Sequence, residues 1–354
     1  MKTILVTGGT GFIGSHVCVS LASSNYRIIV VDSNVNSSEL SLKRVKKIIN
    51  QENSHSNDLL FHKGDLRDEQ FLINLFSEAY KQGYPIEGVI HLAGLKSVEE
   101  STENPILYWD NNLCGTINLL KVMNLFNCKT IVFSSSATIY GNSKISPLRE
   151  SFEIKPCNPY GQTKASIELI LDSIYKNSKH SWRIVNLRYF NPIGAHESGL
   201  IGEDPLTKPN NLFPYICLVA HGIYEKLNIF GKNWPTDDGT GVRDYIHVMD
   251  LADAHKSSLK FLINKKPQIV NLNVGTGIGT SVLELVKTFE KVNKCKIKYN
   301  FCERRAGDVS ILIADNKKAI STLNWKPRRN IQQMCRDGWK WSFLNPHGYK
   351  EIKN

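Results

Sequence analysis

The stretch Thr3-Ile4-Leu5-Val6-Thr7-Gly8-Gly9-Thr10-Gly11-Phe12-Ile13-Gly14 decides how this 354-residue chain folds. Residues 3–7 form a short β-branched, apolar run that predicts a buried strand, and the glycines follow without a spacer and open a helical pattern. In such a turn Gly8, Gly11 and Gly14 permit a tight bend, let the backbone approach a pyrophosphate, and allow helix and strand to pack closely, with the phosphates at the helix N-terminus. A glycine-rich turn alone can also be a plain tight connection. Here Asp32 ends the next apolar run, near the spacing expected for a carboxylate that binds the adenosine ribose hydroxyls. A carboxylate there repels a 2′-phosphate, so the expected cofactor is NAD rather than NADP.

Outward from that stretch, short β-branched runs alternate with helical ones, the pattern of βα units around a parallel sheet. Residues 3–7, 27–32, 88–93, 129–135 and 183–189 read as buried strands, and 14–24, 68–82, 105–126 and 160–177 as helices. Residues 43–58, rich in Lys, Asn, Gln and Ser, read as a solvated helix end and loop. Asp65 follows Phe61-His62-Lys63-Gly64 at a further strand end, where a carboxylate could meet the adenine amino group. Ala93-Gly94 ends another strand, and ligands of open α/β sheets bind at such carboxyl ends. The fold class expected is therefore α/β, a Rossmann-type doubly wound parallel sheet.

After about Asn191 the texture changes, with Pro192, Pro205, Pro209, Pro214 and Pro235 breaking the pattern and glycines spaced between Gly231 and Gly241. This predicts a smaller, loop-rich α/β substrate domain. The expected division is a nucleotide domain at 1–190 and a second domain at 191–354, with 244–264 packing back on the first.

Composition narrows the function. Lys+Arg 44 against Asp+Glu 33 gives a net charge of +11, but the basic clusters are short and scattered and no aromatic-interleaved basic stripe appears. Neither nucleic acid nor membrane is an expected partner; a phosphorylated small molecule is. The eight cysteines (Cys18, Cys114, Cys128, Cys157, Cys217, Cys295, Cys302, Cys335) contain no C-x-x-C pair and suggest no metal site or disulfide frame. No secretory or membrane-spanning stretch is apparent, which makes the cytoplasm the default expectation.

Chemistry enters at Ser134-Ser135-Ser136-Ala137-Thr138, which closes the strand at 129–133 on the sheet edge of the glycine loop, and at Asn158-Pro159-Tyr160-Gly161-Gln162-Thr163-Lys164. Residues four apart share a helix face, so Lys164 would stand beside Tyr160 and favour its phenolate. Spacing alone also fits an ordinary surface Tyr/Lys pair, and serine triplets are common turn formers. A hydroxyl, a phenol and an ammonium above a nicotinamide are nonetheless what hydride transfer from an alcohol needs. A phenol titrates near ~10, so acting as a base at neutral pH calls for roughly 4 kcal/mol of differential stabilisation.

With these motifs the chain resembles the extended short-chain dehydrogenase/reductases and, among them, the UDP-glucose 4-epimerases. The likeness runs through residues 6–16, His91-Leu92-Ala93-Gly94-Leu95-Lys96, residues 133–141, Leu187-Arg188-Tyr189-Phe190-Asn191-Pro192-Ile193-Gly194-Ala195-His196 and residues 238–248. It implies a bound NAD that oxidises the sugar C4 hydroxyl to a ketone; the ketone turns over and takes the hydride back on its other face. Tyr160 would be the base, Lys164 would tune it and hold the nicotinamide ribose, and Ser136 would hydrogen-bond O4. The likeness further places Phe12, Ile13, Asp32, Asn36, Asp65, Leu66, Lys96, Asn111 and Phe190 around NAD. It gives Asn191, Asn211, Leu212, Asn228, Phe230, Arg243, Arg305 and Asp308 to the UDP-sugar, and implies a homodimer through the helices at 105–126 and 160–177. Arg243 and Arg305 suit a diphosphate, because guanidinium forks bind such oxygens in pairs; each is equally readable as surface charge, and Phe230 as core.

Two positions discriminate within the likeness. Sugar-nucleotide dehydratases carry an acidic pair after the threonine matching Thr138, whereas Ile139 and Tyr140 follow here. Relatives that decarboxylate or act on glucuronates stay open, although residues 238–248 match the epimerases more closely. Leu312 stands where relatives carry a bulky Tyr or a small residue such as Cys, which predicts a preference for UDP-glucose and UDP-galactose with partial tolerance of UDP-N-acetylhexosamines. A different class of reading, a non-catalytic NAD-binding module on the same fold, is opposed by the intact Ser136, Tyr160 and Lys164.

Overall fold

The computed structural model describes residues 1–51, 59–206, 209, 211–305 and 308–350. The glycine stretch forms β1 (Lys2–Thr7), a loop, and α1 (Phe12–Ala22). Then come β2 (Tyr26–Asp32), α2 (Leu40–Gln51), β3 (Leu59–Lys63), α3 (Glu69–Lys81) and β4 (Ile86–His91). Residues 43–51, expected to be a solvated helix end and loop, belong to the body of α2, which buries Leu42, Val45, Ile48 and Ile49. The lysines between them had masked a 3.6-residue apolar stripe. The rest of that stretch, 52–58, lies outside the described residues.

The helix expected at 105–126 is three pieces, α5 (Pro105–Tyr108) after α4 (Val98–Glu103), a π-helical segment at Trp109–Cys114, and α6 (Gly115–Leu125). The widened turn has a local cause. Asn112 turns its amide to the backbone of Leu95, accepting from its N–H at 2.8 Å and donating to its carbonyl at 3.0 Å, and π-turns of this kind gather at functional sites.

The chain continues through β5 (Thr130–Ser136), a 3-10 turn at Ala137–Tyr140, α7 (Pro159–Asn177), β6 (Arg183–Tyr189) and β7 (Asn191–Ile193), then α8 (Leu212–Ala220), β8 (Leu227–Phe230), β9 (Val242–His247), α9 (Val248–Ile263), β10 (Gln268–Val274) and β11 (Gly279–Ser281). It ends with α10 (Val282–Asn293), β12 (Tyr299–Cys302), β13 (Ile311–Leu312), α11 (Lys317–Leu323) and α12 (Ile331–Leu344).

Seven parallel strands form the central sheet in the order β10-β6-β5-β4-β1-β2-β3. Strand order reverses between β1 and β4, so their carboxyl ends leave a crevice for a ligand. Gly8 closes its floor: at φ +70° a Cβ there would lie 2.6 Å from the Ala93 nitrogen. The sheet also draws on 268–274, beyond both 1–190 and 244–264, because β10 pairs with β6 along its whole length. Helix α9 packs on α1, with the Ser20 hydroxyl donating to Asp253 at 2.6 Å.

A smaller lobe holds a β11-β9-β13 sheet with β7 beside β9, a parallel β8–β12 pair, and α8, α10 and α12 around a core that includes Phe213, Ile216, Phe289 and Met334. Among the described residues no helix is long and apolar enough to cross a membrane.

One buried ion pair ties α7 to the sheet. Arg188 on β6 and Glu168 on α7, 1% and 5% exposed, meet at 2.6 Å; Ser135 donates to the same carboxylate, and Arg188 reaches the Tyr140 hydroxyl at 2.9 Å. Removing one partner of such a pair strands the other charge. Arg188→Met is expected to lower the unfolding free energy by about 3–5 kcal/mol, and Glu168→Gln combined with it by less than the sum of the single losses; urea unfolding of the three variants measures both.

Candidate active site

The glycine loop shapes one end of a cleft at the switch point. Gly14 is obligatory there, since a Cβ would fall 2.2 Å from the Gly8 carbonyl oxygen. The helix it opens begins at Gly11 with no side-chain cap and no acidic residue in its first turn. Its leading N–H groups are thus left for a ligand, and an anion is what they favour. Phe12, Ile13, Asn36, Leu66, Ala93, Gly94, Lys96 and Asn111 line the same cleft, as do Gly8, Gly11, Gly14 and Asp32.

Asp32 is braced on its inner side. Its carboxylate accepts from the Thr10 N–H at 3.1 Å, the Asn34 N–H at 3.0 Å and the Ser37 hydroxyl at 3.1 Å. Asp65 lies between Gly64 and Leu66, which both line the cleft. Its carboxylate is clasped by Arg67 at 2.7 Å, and Arg67 also reaches Asp110 at 2.6 Å. Hydrogen bonds from Arg67 hold the Asp65 carboxyl below its usual range.

Tyr160 and Lys164 enter the cleft from α7. The helix starts where it does because Asn158 caps it, accepting from the Gly161 N–H at 2.8 Å, and Pro159 occupies its first turn. Both side chains are buried, 7% and 4% exposed. Lys164 Nζ donates to the Ser134 carbonyl at 2.8 Å and lies 6.0 Å from the Tyr160 ring centroid and 4.9 Å from that of Phe133. Burial drives the pair in opposite senses. It pushes the Tyr160 phenol up, against a smaller opposing effect of its hydrogen bond with Ser136, and pushes the Lys164 ammonium down to about 8. Ser136 ends β5 beside them, its hydroxyl 2.9 Å from that of Thr138.

Two features of the cleft had no sequence expectation attached. Tyr189 lines it from the carboxyl end of β6, and burial followed by the neighbouring Tyr160 raises its phenol. The strand-end rule would have marked it, since it directly precedes Phe190. Tyr349 and the 202–205 loop also line the cleft; they come from far along the chain and no local pattern announces them.

The residues expected around a UDP-sugar lie in or beside the smaller lobe. Arg243 on β9 pairs with Leu312 on β13 in register, and its guanidinium lies 3.4 Å from Asp308. Arg305 stacks 4.0 Å over the ring of Phe230, which with Asn228 sits on β8. Asn211 precedes Leu212 at the start of α8 and donates to Glu203 at 3.2 Å. Asn191 donates to the Asp244 carbonyl at 3.2 Å. Phe190, 6% exposed, shares a small cluster with Ala137, Ile139 and Leu148, against which Leu312 packs. Ser136, Phe190 and this second group stand outside the cleft wall that holds the glycine loop.

Comparisons with known proteins agree with this geometry. The family model described as GDP-mannose 4,6 dehydratase matches residues 5–338. UDP-glucose 4-epimerase 2 of Arabidopsis thaliana is 50% identical over 353 residues, spanning 100% of this chain and 98% of that protein. A solved UDP-glucose 4-epimerase from Stenotrophomonas maltophila, with bound NAD and formylated UDP-arabinopyranose, superposes with a TM-score of 0.92 at 41% identity, covering 98% of this chain and 99% of that one. The Bifidobacterium longum enzyme in complex with NAD+ and UDP gives 0.91 at 44% identity, covering 98% and 100%.

Lys164 leads to a stability prediction. An unfolded lysine keeps its proton to about pH 10.4, whereas the buried one lets go near 8. Folding therefore carries a penalty that is full below pH 8 and is relieved as the pH climbs from there towards the unfolded value. Lys164→Met is expected to stabilise the cofactor-free protein at pH 7 by about 1–3 kcal/mol, allowing for the lost bond to Ser134, with the advantage fading by pH 10. Denaturant unfolding across that pH range checks it.

Proposed function

The chain belongs to the UDP-glucose 4-epimerases of the extended short-chain dehydrogenase/reductase family, and from that membership we infer how its residues carry out NAD-dependent C4 epimerisation of UDP-glucose. The observation that carries the reading is that Tyr160, hydrogen-bonded to Ser136, and Lys164 line the same cleft as an uncapped helix N-terminus and a braced Asp32. The donor set fits NAD: free N–H groups for the pyrophosphate, a carboxylate for ribose hydroxyls, and Gly8 and Gly14 positions that admit no side chain. Phe12, Ile13, Asn36, Asp65, Leu66, Lys96 and Asn111 complete that set.

Bound NAD supplies the acceptor for the C4 hydride and, once reduced, its donor. Tyr160 takes the proton of the C4 hydroxyl as the C–H bond breaks, which leaves a 4-keto sugar, and returns it to the same oxygen when the hydride comes back on the opposite face. Ser136 donates a hydrogen bond to O4 throughout. Because burial holds the Tyr160 phenol up in the free protein, the positive charge that lowers it must come with the oxidised nicotinamide, assisted by Lys164.

Residues 1–190, joined by α9 and β10, hold NAD in this reading, and the remainder of 191–354 holds the UDP-sugar. Asn191, Asn211, Leu212, Asn228, Phe230 and Asp308 bind the nucleotide and sugar, with Arg243 and Arg305 at the diphosphate. Where a dehydratase needs acid/base groups beyond Thr138, this chain places Ile139 and Tyr140, both buried, the latter bonded to Asn273 at 2.7 Å; elimination of water lacks its proton donors there. Exposed Ile106, Leu107 and Leu169 on α5 and α7 suit a homodimer built through those helices, which light scattering in solution can test.

Purified protein given UDP-galactose and no added reductant is expected to form UDP-glucose; a 4-keto-6-deoxy sugar or a pentose instead would overturn the reading. Tyr160→Phe is expected to keep NAD while turnover falls by about 10²–10⁴, and full activity would remove Tyr160 as the base. Leu312, intermediate in volume, should admit UDP-N-acetylhexosamines in part, and Leu312→Tyr should exclude them; equal turnover of both sugar classes by both proteins would sink that assignment.

A further inference from the structure

The last described residues return to the nucleotide cleft. After α12, the Asn345 amide donates to the Gly199 carbonyl at 3.0 Å, and Gly348 turns the chain at φ +68°, where a Cβ would lie 2.1 Å from the Asp204 carboxylate. Tyr349 follows. Its N–H donates to Asp204 at 2.8 Å; its hydroxyl accepts from the Gly202 N–H and donates to the Gly202 carbonyl, both at 3.1 Å, and it also meets Ser15 on α1. The ring is 4% exposed and forms part of the cleft wall.

From α2, Arg44 clasps the same assembly. It bonds the Leu200 carbonyl and Asn345, and its guanidinium lies 5.1 Å over the Tyr349 ring. Besides Ser15 and Arg44, the tail's hydrogen-bond partners Gly199, Gly202 and Asp204 belong to one loop, and that loop carries Glu203 to Lys96 at the cleft, 2.8 Å apart.

We propose that residues 345–350 form a strap that retains NAD, holding the 199–206 loop against the glycine-loop end of the cleft, with Tyr349 as an added wall of the cofactor site. The proposal rests on the NAD reading above. A cofactor that must be reduced and reoxidised on one sugar gains nothing from leaving between the two half-reactions. A wall pinned by four hydrogen bonds, each between a side chain and the main chain, opens only when several break together.

The test uses the full chain and follows NAD itself. Wild type, Tyr349→Phe, Tyr349→Ala and Gly348→Ala proteins are loaded with NAD, diluted with an NAD-degrading glycohydrolase, and assayed for NAD still bound over time. Tyr349→Ala and Gly348→Ala are expected to shorten retention about tenfold or more, with Tyr349→Phe, which keeps the ring, losing less. The NAD-stripped Tyr349→Ala and Gly348→Ala proteins are expected to melt below wild type, since one loses a buried ring and the other crowds Asp204, whereas stripped Tyr349→Phe should melt close to wild type and still shed NAD faster. Equal retention in all four overturns the strap, as does faster loss confined to the two variants whose stripped protein melts lower, with Tyr349→Phe holding NAD as long as wild type, which would make the tail a mere brace. A wild-type chain that binds no NAD at all rejects the cofactor reading instead.

Discussion

The buried contact between Glu168 and Arg188 is the constraint on which the site depends. Neither charge can be left alone in that interior, so α7 can sit against β5 and β6 in one register only. Lys164 lies one turn before Glu168 and Tyr160 one turn before that, so fixing the carboxylate aims both side chains at the crevice. The same guanidinium reaches Tyr140, Tyr140 reaches Asn273 on β10, and Asn273 in turn holds the Leu148 carbonyl at 2.9 Å. A single chain of polar contacts thus joins the helix that bears the chemistry, three strands of the sheet, and the segment between the 3-10 turn and α7. Placed centrally, it serves as a geometric reference for groups that must agree on the position of one carbon atom.

The electrostatics of the free cleft are unfavourable to its own task. Burial keeps a proton on Tyr160 and discourages one on Lys164, and His91, between Thr7 and Thr116, is driven down to about 3 by burial and then by Lys164. In the proposed mechanism the protein would supply the shape and the low dielectric, and the oxidised cofactor part of the charge that favours the phenolate. Coupling the base to the oxidised cofactor in this way ties proton removal to the presence of a hydride acceptor. Lys164, held by the Ser134 carbonyl, stays where a ribose hydroxyl and the phenol can both reach it.

Most of the nucleotide fold was legible in the sequence because its signals are local. A β-branched run, a glycine turn and a helix start occupy adjacent residues, Asp32 and Ser136 sit at strand ends, where the doubly wound fold gathers its ligands, and Tyr160 opens a helix behind Asn158 and Pro159. What was hidden depends on distance or on masking. The stripe of α2 was diluted by lysines, the π-turn in 109–114 arises from an amide contact with Leu95, and β10 reads as one more apolar run until β6 is seen beside it. Asp65 was marked by its place at a strand end, while its pairing with Arg67, two residues on, carries no sequence signal of its own. Tyr349 meets Gly202 and Ser15 across most of the chain, and no periodicity encodes such a meeting.

The seventh strand has a consequence for how the molecule comes into being. During synthesis the first six strands of the sheet are available once residue 189 has emerged, yet β6 remains an open edge until residues 268–274 follow, with the whole start of the smaller lobe made in between. An unpaired parallel edge invites the wrong neighbour. Until β10 arrives, Arg188 and Asn186 are borne on a border strand. The sheet closes only after β7, α8, β8 and β9 of the smaller lobe have been made and before the rest of that lobe follows, so the two lobes interleave in order of synthesis rather than forming one after the other.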